Sequence, residues 1–306
     1  MKVLITGGAG FIGSHIADLL IKKGHSVVVI DDLSSGDMRN VPPKARFHKI
    51  SVASPHLQAL FEKEKPDMVC HTAAKTNMRA TLNDPLKDIP TNLIGTVKVM
   101  ECAKKSGVAK VVFSSTGGAL YGDAGTLPTT EDTPTNPISP YGVDKLASEK
   151  YLYYYHAVHG ISATILRYSN VYGPRMERKR GGTGVVAVFL EAFLNNKKPK
   201  IFGDGKQTRD FVFVEDVAEA NYKALIDTRK GFFYYNVSGG KEVSMNELAK
   251  QIGQITNRDG AIEHLPANKG EVRRSCLANK KIQKELDWKP RTTLKEGIQK
   301  TLSSIS

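Results

Sequence analysis

The chain has 306 residues, of which 40% are hydrophobic, so it is long enough for a sizeable core in one or two domains. No apolar run reaches the roughly 18 residues of a membrane span, and glycines interrupt the apolar N-terminus, so neither a membrane anchor nor a signal peptide is expected. The net charge is +13, but the basic residues are spread out and the cluster at 175–180 lacks interleaved aromatics, which argues against a nucleic-acid partner.

The chain opens with a strand, a glycine turn and a helix. Residues 2–13 read KVLITGGAGFIG, and apolar residues then recur at helical spacing. Gly8, Gly10 and Gly13 fit the pattern G-x-G-x-x-G. Such glycines allow a tight turn, a close approach of the backbone to a pyrophosphate, and close packing of the helix on the strand. Amides at the helix N-terminus then face the phosphates. The pattern therefore predicts a dinucleotide site rather than a glycine-rich turn without a ligand.

A second strand, at residues 25–32, carries an acidic residue at its end. Asp31 lies 18 residues after Gly13, where a carboxylate can bind the ribose hydroxyls of NAD. The same charge would repel the 2′-phosphate of NADP, so Asp31 favours NAD. Arg39 is the counter-signal, and its loop position suggests a surface residue.

Strands and helices then alternate through six repeats, which predicts an α/β fold with a Rossmann-type doubly wound parallel sheet. Beyond residues 173–174 the composition shifts, and we expect a smaller α/β substrate-binding domain. Its region includes a helix at 185–194 and an amphipathic helix at 242–255. The expected division is an NAD-binding domain of residues 1–169 plus about 211–237, and a second domain of about 170–210 plus 238–306.

The three cysteines do not suggest a metal site. Cys70, Cys102 and Cys276 have neither metal-ligand spacing nor an even number for disulfides. They are expected to be reduced core thiols of a cytoplasmic protein.

Tyr141 and Lys145 are candidates for proton chemistry, because a spacing of four residues places both on one helix face. A tyrosine has a pKa of roughly 10, too high for a base at neutral pH. A nearby ammonium and a cationic nicotinamide would favour the phenolate, which could take a proton from a sugar hydroxyl as hydride leaves the same carbon. Thr116 follows the fifth strand, where ligands bind in open α/β sheets, although a simple turn threonine is the alternative.

Taken together, the motifs resemble the extended short-chain dehydrogenase/reductase family, and within it the nucleotide-sugar 4-epimerases of UDP-glucose 4-epimerase type. The resemblance covers nearly the whole chain and is more specific for the superfamily than for the substrate. It is carried by the segments GGAGFIG (7–13), DDLSSG (31–36), HTAA (71–74), NLIGT (92–96), SST (114–116), YG (121–122), YGVDK (141–145), RYSN (167–170), YGP (172–174) and QTRDF (207–211).

The resemblance implies a tightly held NAD. Phe11 and Ile12 would offer backbone amides to its pyrophosphate, and Lys145 would bind the nicotinamide ribose. The implied cofactor-binding residues are Gly7, Gly10, Phe11, Ile12, Gly13, Asp31, Asp32, Ser35, Gly36, Ser51, Val52, Ala73, Ala74, Asn92, Tyr141, Lys145 and Tyr168.

It also implies a reaction without net redox change. Tyr141 would deprotonate the 4-hydroxyl of a hexose while C4 gives hydride to NAD, and the 4-keto sugar would turn over and take the hydride back. Arg209 suits a diphosphate for an independent reason, since a guanidinium recognises it with a geometry that lysine cannot reproduce. The implied catalytic residues are Tyr141, Lys145 and Thr116, and the implied substrate-binding residues are Thr116, Gly117, Tyr141, Asn170, Val185, Arg209, Glu271 and Arg273.

One local feature separates the related activities. Sugar dehydratases and UDP-glucuronate decarboxylases of this family carry an acid just after the catalytic Ser/Thr, where this chain has Gly117 and Gly118. Epimerisation is therefore favoured. A UDP-glucuronate or UDP-GlcNAc 4-epimerase stays open as an alternative. The alternative outside the enzymes is a non-catalytic regulator that senses NAD.

The chain also departs from the family pattern. Ser51 replaces an Asp at the adenine, and Ser169 replaces an aromatic. Asn268 aligns with an Arg that holds the pyrophosphate in relatives and Glu271 with the partner Asp of that Arg; Arg273 could compensate. Ser275 is small where a bulky residue limits the sugar 2-substituent, so N-acetylated sugars are expected to fit. The resemblance implies a homodimer through helices near 92–105 and 141–156.

Overall fold

The computed structural model describes residues 1–76, 84–176, 184–258, 261–267 and 272–305. Its strands, in chain order, are β1 (Lys2–Thr6), β2 (Ser26–Asp31), β3 (Arg46–Lys49), β4 (Met68–His71), β5 (Lys110–Thr116), β6 (Ser162–Tyr168), β7 (Asn170–Tyr172), β8 (Lys200–Phe202), β9 (Thr208–Phe213), β10 (Phe232–Val237), β11 (Glu242–Ser244) and β12 (Glu263–Leu265).

The helices surround these strands. In chain order they are α1 (Phe11–Lys22), α2 (Leu57–Glu64), α3 (Gly95–Lys105, entered through a π-helical turn at Pro90–Ile94), α4 (Gly117–Leu120), α5 (Pro140–His159), α6 (Val185–Leu194), α7 (Val214–Ile226), α8 (Met245–Ile255), α9 (Lys280–Leu286) and α10 (Leu294–Ser303). Among the residues described, no helix is both long and apolar enough to cross a membrane.

The central sheet has seven parallel strands in the order β10-β6-β5-β4-β1-β2-β3. Both of its faces are covered, which explains why its strands are almost continuously apolar. Val3 and Ile5 pack into a core with α1 and α7 on one face, and Leu4 packs into a core with α2, α3 and α5 on the other. The expected Rossmann-type doubly wound sheet is confirmed.

A smaller region lies beside this sheet. It contains a three-stranded sheet in the order β11-β9-β7 and the pair β12-β8, around a core that includes Phe189, Phe193, Phe213 and Leu248. The expected single helix at 242–255 is wrong at its start, because residues 242–244 form strand β11, which pairs antiparallel with β9. The helix begins only at Met245, after Ser244 accepts a hydrogen bond from the Glu247 amide as its N-cap.

The division into two domains stays a proposal. Strand β10 returns to the central sheet, whereas β7 and β9 belong to the smaller one. The expected boundary at 210/211 therefore falls inside β9, which runs from Thr208 to Phe213. The chain crosses between the two regions several times, so that segments from both border one cleft.

Candidate active site

A cleft of about 1940 Å³ lies at the carboxyl ends of the central strands, between the two regions. It collects most of the residues that the sequence predicts as site residues, although they come from distant parts of the chain. The predicted residues that line it are Gly7, Gly10, Phe11, Ile12, Gly13, Asp31, Asp32, Ser35, Ser51, Val52, Ala73, Ala74, Thr116, Tyr141, Asn170, Val185 and Arg209.

The glycine turn between β1 and α1 forms one end of the cleft. Gly7 has a φ of +68°, and a Cβ there would lie 2.7 Å from the Cα of Ala73. A Cβ at Gly13 would overlap the carbonyl oxygen of Gly7, so the helix packs as close to the turn as the backbone permits. Helix α1 begins at Phe11, and the first amides of a helix have no partner within it. The turn thus offers a phosphate-binding helix end.

Asp31 ends β2 beside this turn and is mostly buried. Its carboxylate accepts hydrogen bonds from the amides of Ala9 (3.0 Å) and Leu33 (2.8 Å). Burial raises the pKa of Asp31, while the two amides oppose that shift. Arg39 forms an ion pair with Asp37, and its side chain is largely exposed, which agrees with a surface role. A carboxylate at the strand end and a glycine-built cradle together fit NAD.

The catalytic candidates meet midway along the cleft. Thr116 ends β5, and its side chain caps α4 by accepting a hydrogen bond from the Ala119 amide at 3.2 Å. Tyr141 lies in the first turn of α5, after the N-cap Ser139. One turn further, the buried Lys145 donates to the Ser114 carbonyl at 2.7 Å, and its Nζ lies 5.9 Å from the centre of the Tyr141 ring. The predicted Tyr–Lys pair therefore stands beside Thr116.

In the protein alone, burial controls the pKa values of Tyr141 and Lys145. It raises the pKa of Tyr141, the opposite of the direction expected for a base, and lowers the pKa of Lys145 to about 8. The expectation combined Lys145 with a cationic nicotinamide, and without the second charge the loss of solvent dominates. The Tyr141 hydroxyl has no hydrogen-bond partner among the described residues, which leaves it available to a ligand.

Gly117, which is expected to contact the substrate, and its neighbour Gly118 differ in their placement relative to the cleft. A Cβ at Gly117 would overlap the side chain of Leu277, so Gly117 is buried away from the cleft. Gly118 lines the cleft instead, and a Cβ there would lie 3.6 Å from Asn170 Oδ1 and 4.0 Å from Thr116 Oγ1. Gly118, and not the expected Gly117, is therefore the glycine that faces the cleft.

Three further predicted residues lie outside the lining, because their side chains are engaged elsewhere. The Asn92 amide group pairs with the backbone of Lys75 at 2.8 and 3.1 Å, which fixes the segment after β4. The Tyr168 hydroxyl lies 2.9 Å from Ser114 Oγ and contacts Asn221. Arg273 pairs with Asp204 at 2.7 Å instead of facing the cleft. None of these three residues is part of the described lining of the cleft.

Four further residues singled out in the sequence lie either outside the lining of the cleft or outside the described residues. Gly36 does not line the cleft itself, but a Cβ there would lie 2.8 Å from Asp31 Oδ1, so it leaves room for that carboxylate. Lys145 is not part of the described lining, and its Nζ lies 5.9 Å from the centre of the Tyr141 ring. Asn268 and Glu271 lie outside the described residues.

The smaller region supplies the other end of the cleft. Asn170 begins β7, Val185 begins α6 and Arg209 lies in β9. Arg209 Nη1 donates to the carbonyls of Thr208 and Val272, at 2.8 and 2.9 Å, which fixes its side chain along the cleft wall. Ser275 lines this end as well.

Comparison with known proteins identifies the family. Residues 3–237 match the NAD dependent epimerase/dehydratase family. The chain belongs to this family.

Relatives agree over nearly the whole length. The chain is 41% identical over 307 residues to a UDP-glucose 4-epimerase of Mycolicibacterium smegmatis, covering 99% of this chain and 97% of that protein. Among solved structures, a UDP-glucose 4-epimerase of Thermotoga maritima with UDP-glucose superposes with a TM-score of 0.96 at 40% identity, covering 100% and 98% of the two chains. A Thermus thermophilus UDP-glucose 4-epimerase in complex with NAD gives 0.93 at 35% identity, covering 99% and 98%.

Membership in this NAD dependent family makes NAD the cofactor. The UDP-glucose 4-epimerases that match nearly the whole chain confirm the expected enzyme class, an NAD-dependent nucleotide-sugar 4-epimerase. Sequence reasoning missed the far end of the cleft, which is lined by Phe189, Asn195, Lys200 and Phe202. No motif marks these residues: Phe189 and Phe202 look like core residues of an amphipathic helix and a short strand, and Asn195 and Lys200 look like ordinary surface residues.

Proposed function

We propose that this epimerase inverts C4 of a UDP-hexose of the glucose/galactose series. The observation that carries the proposal is the placement of Tyr141. It lines the cleft beside Thr116, the Lys145 ammonium lies behind it, and its hydroxyl is without a protein partner among the described residues. A phenol held in this way can exchange a proton with a substrate hydroxyl.

The first region would hold NAD, which supplies the acceptor and donor of hydride when bound. The amides at the start of α1 would bind its pyrophosphate, and Asp31 would accept hydrogen bonds from a ribose. Ser51 and Val52 line the cleft near Asp31, and the small side chains of Ala73 and Ala74 would let the cofactor lie close to the backbone. These assignments rest on shape and donor chemistry.

Tyr141 would act as the acid and base. Burial keeps its phenol protonated in the chain alone, since burial raises its pKa. A positive charge brought to the cleft, together with the Lys145 ammonium, would favour the phenolate and let Tyr141 accept the proton of the 4-hydroxyl. Thr116 would hold the same oxygen, and Tyr141 would return the proton when the hydroxyl re-forms on the other face.

The second region would hold the nucleotide part of the substrate. We assign the diphosphate to Arg209, whose guanidinium is fixed by two carbonyls. Asn170 would bind the sugar side, next to the space left by Gly118, and the amide of Val185 at the start of α6 would face the diphosphate. We assign no substrate contact to Arg273, because its side chain pairs with Asp204.

The glycines after Thr116 support epimerisation without a further step. Elimination or decarboxylation needs an acid–base group at the neighbouring carbons, and neither Gly117 nor Gly118 provides one. A UDP-glucuronate substrate stays as a second candidate, because the same Tyr–Lys–Thr set would serve it.

Ser275 suggests that N-acetylated sugars also fit. It lines the cleft with a small side chain. Turnover of UDP-GlcNAc beside UDP-glucose tests this, and we expect Ser275→Tyr to lose the acetylated substrate while keeping the other. No turnover of UDP-GlcNAc by the wild type would reject the idea.

We further propose a homodimer. Val143, Tyr151, Tyr154 and Val158 are 43–61% exposed and recur along one face of α5, with the exposed Ile94 just before the neighbouring α3. A large exposed apolar face marks an interface. Sedimentation should give twice the monomer mass, and Tyr154→Glu with Val158→Glu should give monomers; a monomeric wild type would reject the proposal.

A cytoplasmic location is proposed from the three free thiols.

The function itself is tested by incubating the purified protein with NAD and a panel of UDP-hexoses, then separating the C4 epimers. We expect UDP-glucose and UDP-galactose to interconvert to one equilibrium ratio from either side. Conversion of UDP-glucuronate alone would favour the second candidate, and no conversion of any member would contradict the proposal.

A further inference from the structure

We propose that Asp210 is a positioning residue whose carboxylate anchors the segment 272–277, and that this anchoring sets the affinity for the sugar nucleotide; the inference rests on the proposed function. Asp210 neighbours Arg209 on β9 but does not line the cleft. Its effect would pass through the backbone that it holds.

The contacts of Asp210 join two separate segments. Its side chain is almost entirely buried, at 1% exposure. Oδ1 accepts hydrogen bonds from the amides of Gly239 and Gly240, at 2.9 and 3.1 Å. Oδ2 accepts one from the amide of Leu277, at 3.0 Å. One carboxylate therefore fixes the turn after β10 and the end of the segment 272–277.

The other end of this segment is held by neighbours of Asp210 on the same strand. Arg209 Nη1 donates to the Val272 carbonyl at 2.9 Å, and the Thr208 amide donates to the Arg273 carbonyl at 3.0 Å. Val272, at the first anchor, and Ser275, between the two anchors, line the cleft. The course of this wall is thus defined by three consecutive residues of β9.

The anchored segment also reaches the catalytic threonine. The Leu277 side chain packs directly against Gly117, the residue after Thr116. The Thr129 amide donates to the Cys276 carbonyl, and the Ala278 amide donates to the Thr129 carbonyl, both at 2.8 Å. A shift of Leu277 would therefore move the wall at Ser275 and loosen the packing beneath Gly117.

The buried carboxylate of Asp210 is unfavourable for the stability of the fold. Within the described part of the chain, no Lys, Arg or His side chain pairs with it, and burial raises its pKa to about 7. A buried carboxylate that is compensated mainly by backbone amides, with the Ser238 side chain as a further partner, is disfavoured relative to an apolar side chain. What it provides instead is an acceptor for three amides at one point, which fixes backbone geometry.

Asp210→Asn tests the inference, with Asp216→Asn as a matched control. Asn keeps the shape but points an amide group at one of the backbone donors. Asp216 is also buried and accepts the amides of Arg291 and Thr292, both at 3.1 Å, but neither lines the cleft. The readouts are KM and kcat for the UDP-hexose at saturating NAD, and amide hydrogen exchange of the peptide that contains residues 272–279.

We expect Asp210→Asn to raise KM at least about tenfold, with kcat within about threefold, and to speed exchange at 272–279. Asp216→Asn should speed exchange near residue 291 and leave KM within about twofold of the wild type. If Asp210→Asn does not fold, Ser238→Ala replaces it: Ser238 Oγ donates to the Leu277 carbonyl at 2.9 Å, and its loss should raise KM a few-fold in the same direction.

Unchanged exchange at 272–279, or faster exchange with unchanged KM, would overturn the inference, since the carboxylate would then be only a structural element. A wild type that converts none of the UDP-hexoses would overturn the proposed function, and this inference with it. That failure is visible in the wild type, before any variant is compared.

Discussion

In the half of the cleft around the glycine turn, proposed for NAD, positions are fixed by close packing of the backbone. In the half around Arg209, proposed for the sugar nucleotide, they are fixed by hydrogen bonds between distant segments. Gly7, Gly13 and Ala73 leave no space for a single extra carbon. By contrast, Arg209 and Asp210 reach carbonyls and amides some 60 residues away in sequence. The first half is set by sterics, and the second by hydrogen bonds.

The difference teaches where each half is sensitive. A sterically fixed turn responds to added volume, because its backbone cannot retreat. A wall held by a few hydrogen bonds responds to the loss of one acceptor, because a buried amide then stays unpaired. Tyr141 stands where the two halves meet, so it probes the chemistry that both serve.

The largest effect is expected from Tyr141→Phe. Removing the acid–base group should lower kcat by about 10²–10⁴, with little change in the affinity for NAD or UDP. Stability should not fall, because this hydroxyl has no protein partner among the described residues. Tyr155→Phe is the control on the same helix: it loses a hydrogen bond to Glu101 and should cost about 1 kcal/mol of stability while leaving kcat unchanged. A Tyr141→Phe enzyme with most of its kcat would break the account.

The second effect is the pH dependence of stability due to Lys145. Burial lowers its pKa from 10.5 to about 8, so between these values the native chain holds fewer protons than the unfolded chain. Stability therefore rises with pH across that window, as a penalty of about 3 kcal/mol disappears. Lys145→Met lacks this penalty, so its advantage over the wild type should shrink from pH 8 to 10.5.

Urea unfolding at several pH values measures this difference. The exposed Lys150, on the same helix, provides Lys150→Met as the control, for which the difference should not follow that trend. A gap between Lys145→Met and the wild type that stays constant with pH would show that burial does not control this ammonium.

The smallest expected effect is the difference in stability between Gly13→Ala and Gly118→Ala, one variant in each half of the cleft. Gly13→Ala should cost about 1–3 kcal/mol of stability and release NAD, because its Cβ overlaps the Gly7 carbonyl. Gly118→Ala should change stability by less than about 0.5 kcal/mol, since its Cβ would meet Asn170 and Thr116 at ordinary contact distance. It should instead raise KM a few-fold by filling cleft space. Equal losses of stability in Gly13→Ala and Gly118→Ala would contradict the difference between the two halves of the cleft.

The cofactor half could be predicted from the sequence because its determinants are contiguous. A strand, a glycine turn, a helix and Asp31 occupy one stretch, and each has a local physical reason to be where it is. The same holds for Tyr141 and Lys145, which share one helix face. The central sheet followed from the alternation of apolar strands and amphipathic helices, and the structure confirms it.

The substrate half could be predicted only in part. Gly117 and Gly118 look equivalent in sequence, and only the packing of Leu277 decides which one faces the cleft. Arg273 and Asn92 are polar residues at plausible positions, but their partners, Asp204 and the Lys75 backbone, lie far away in sequence or carry no motif. Phe189 and Phe202 are apolar in an apolar region, so nothing distinguished them from core.

The most direct measurement is a structure of the protein with NAD and a UDP-hexose bound. The account predicts that Tyr141 Oη and Thr116 Oγ1 both lie within about 2.6–3.2 Å of the 4-oxygen of the sugar. A sugar whose 4-oxygen lies out of reach of Tyr141, with another protein group at hydrogen-bond distance in its place, would contradict it.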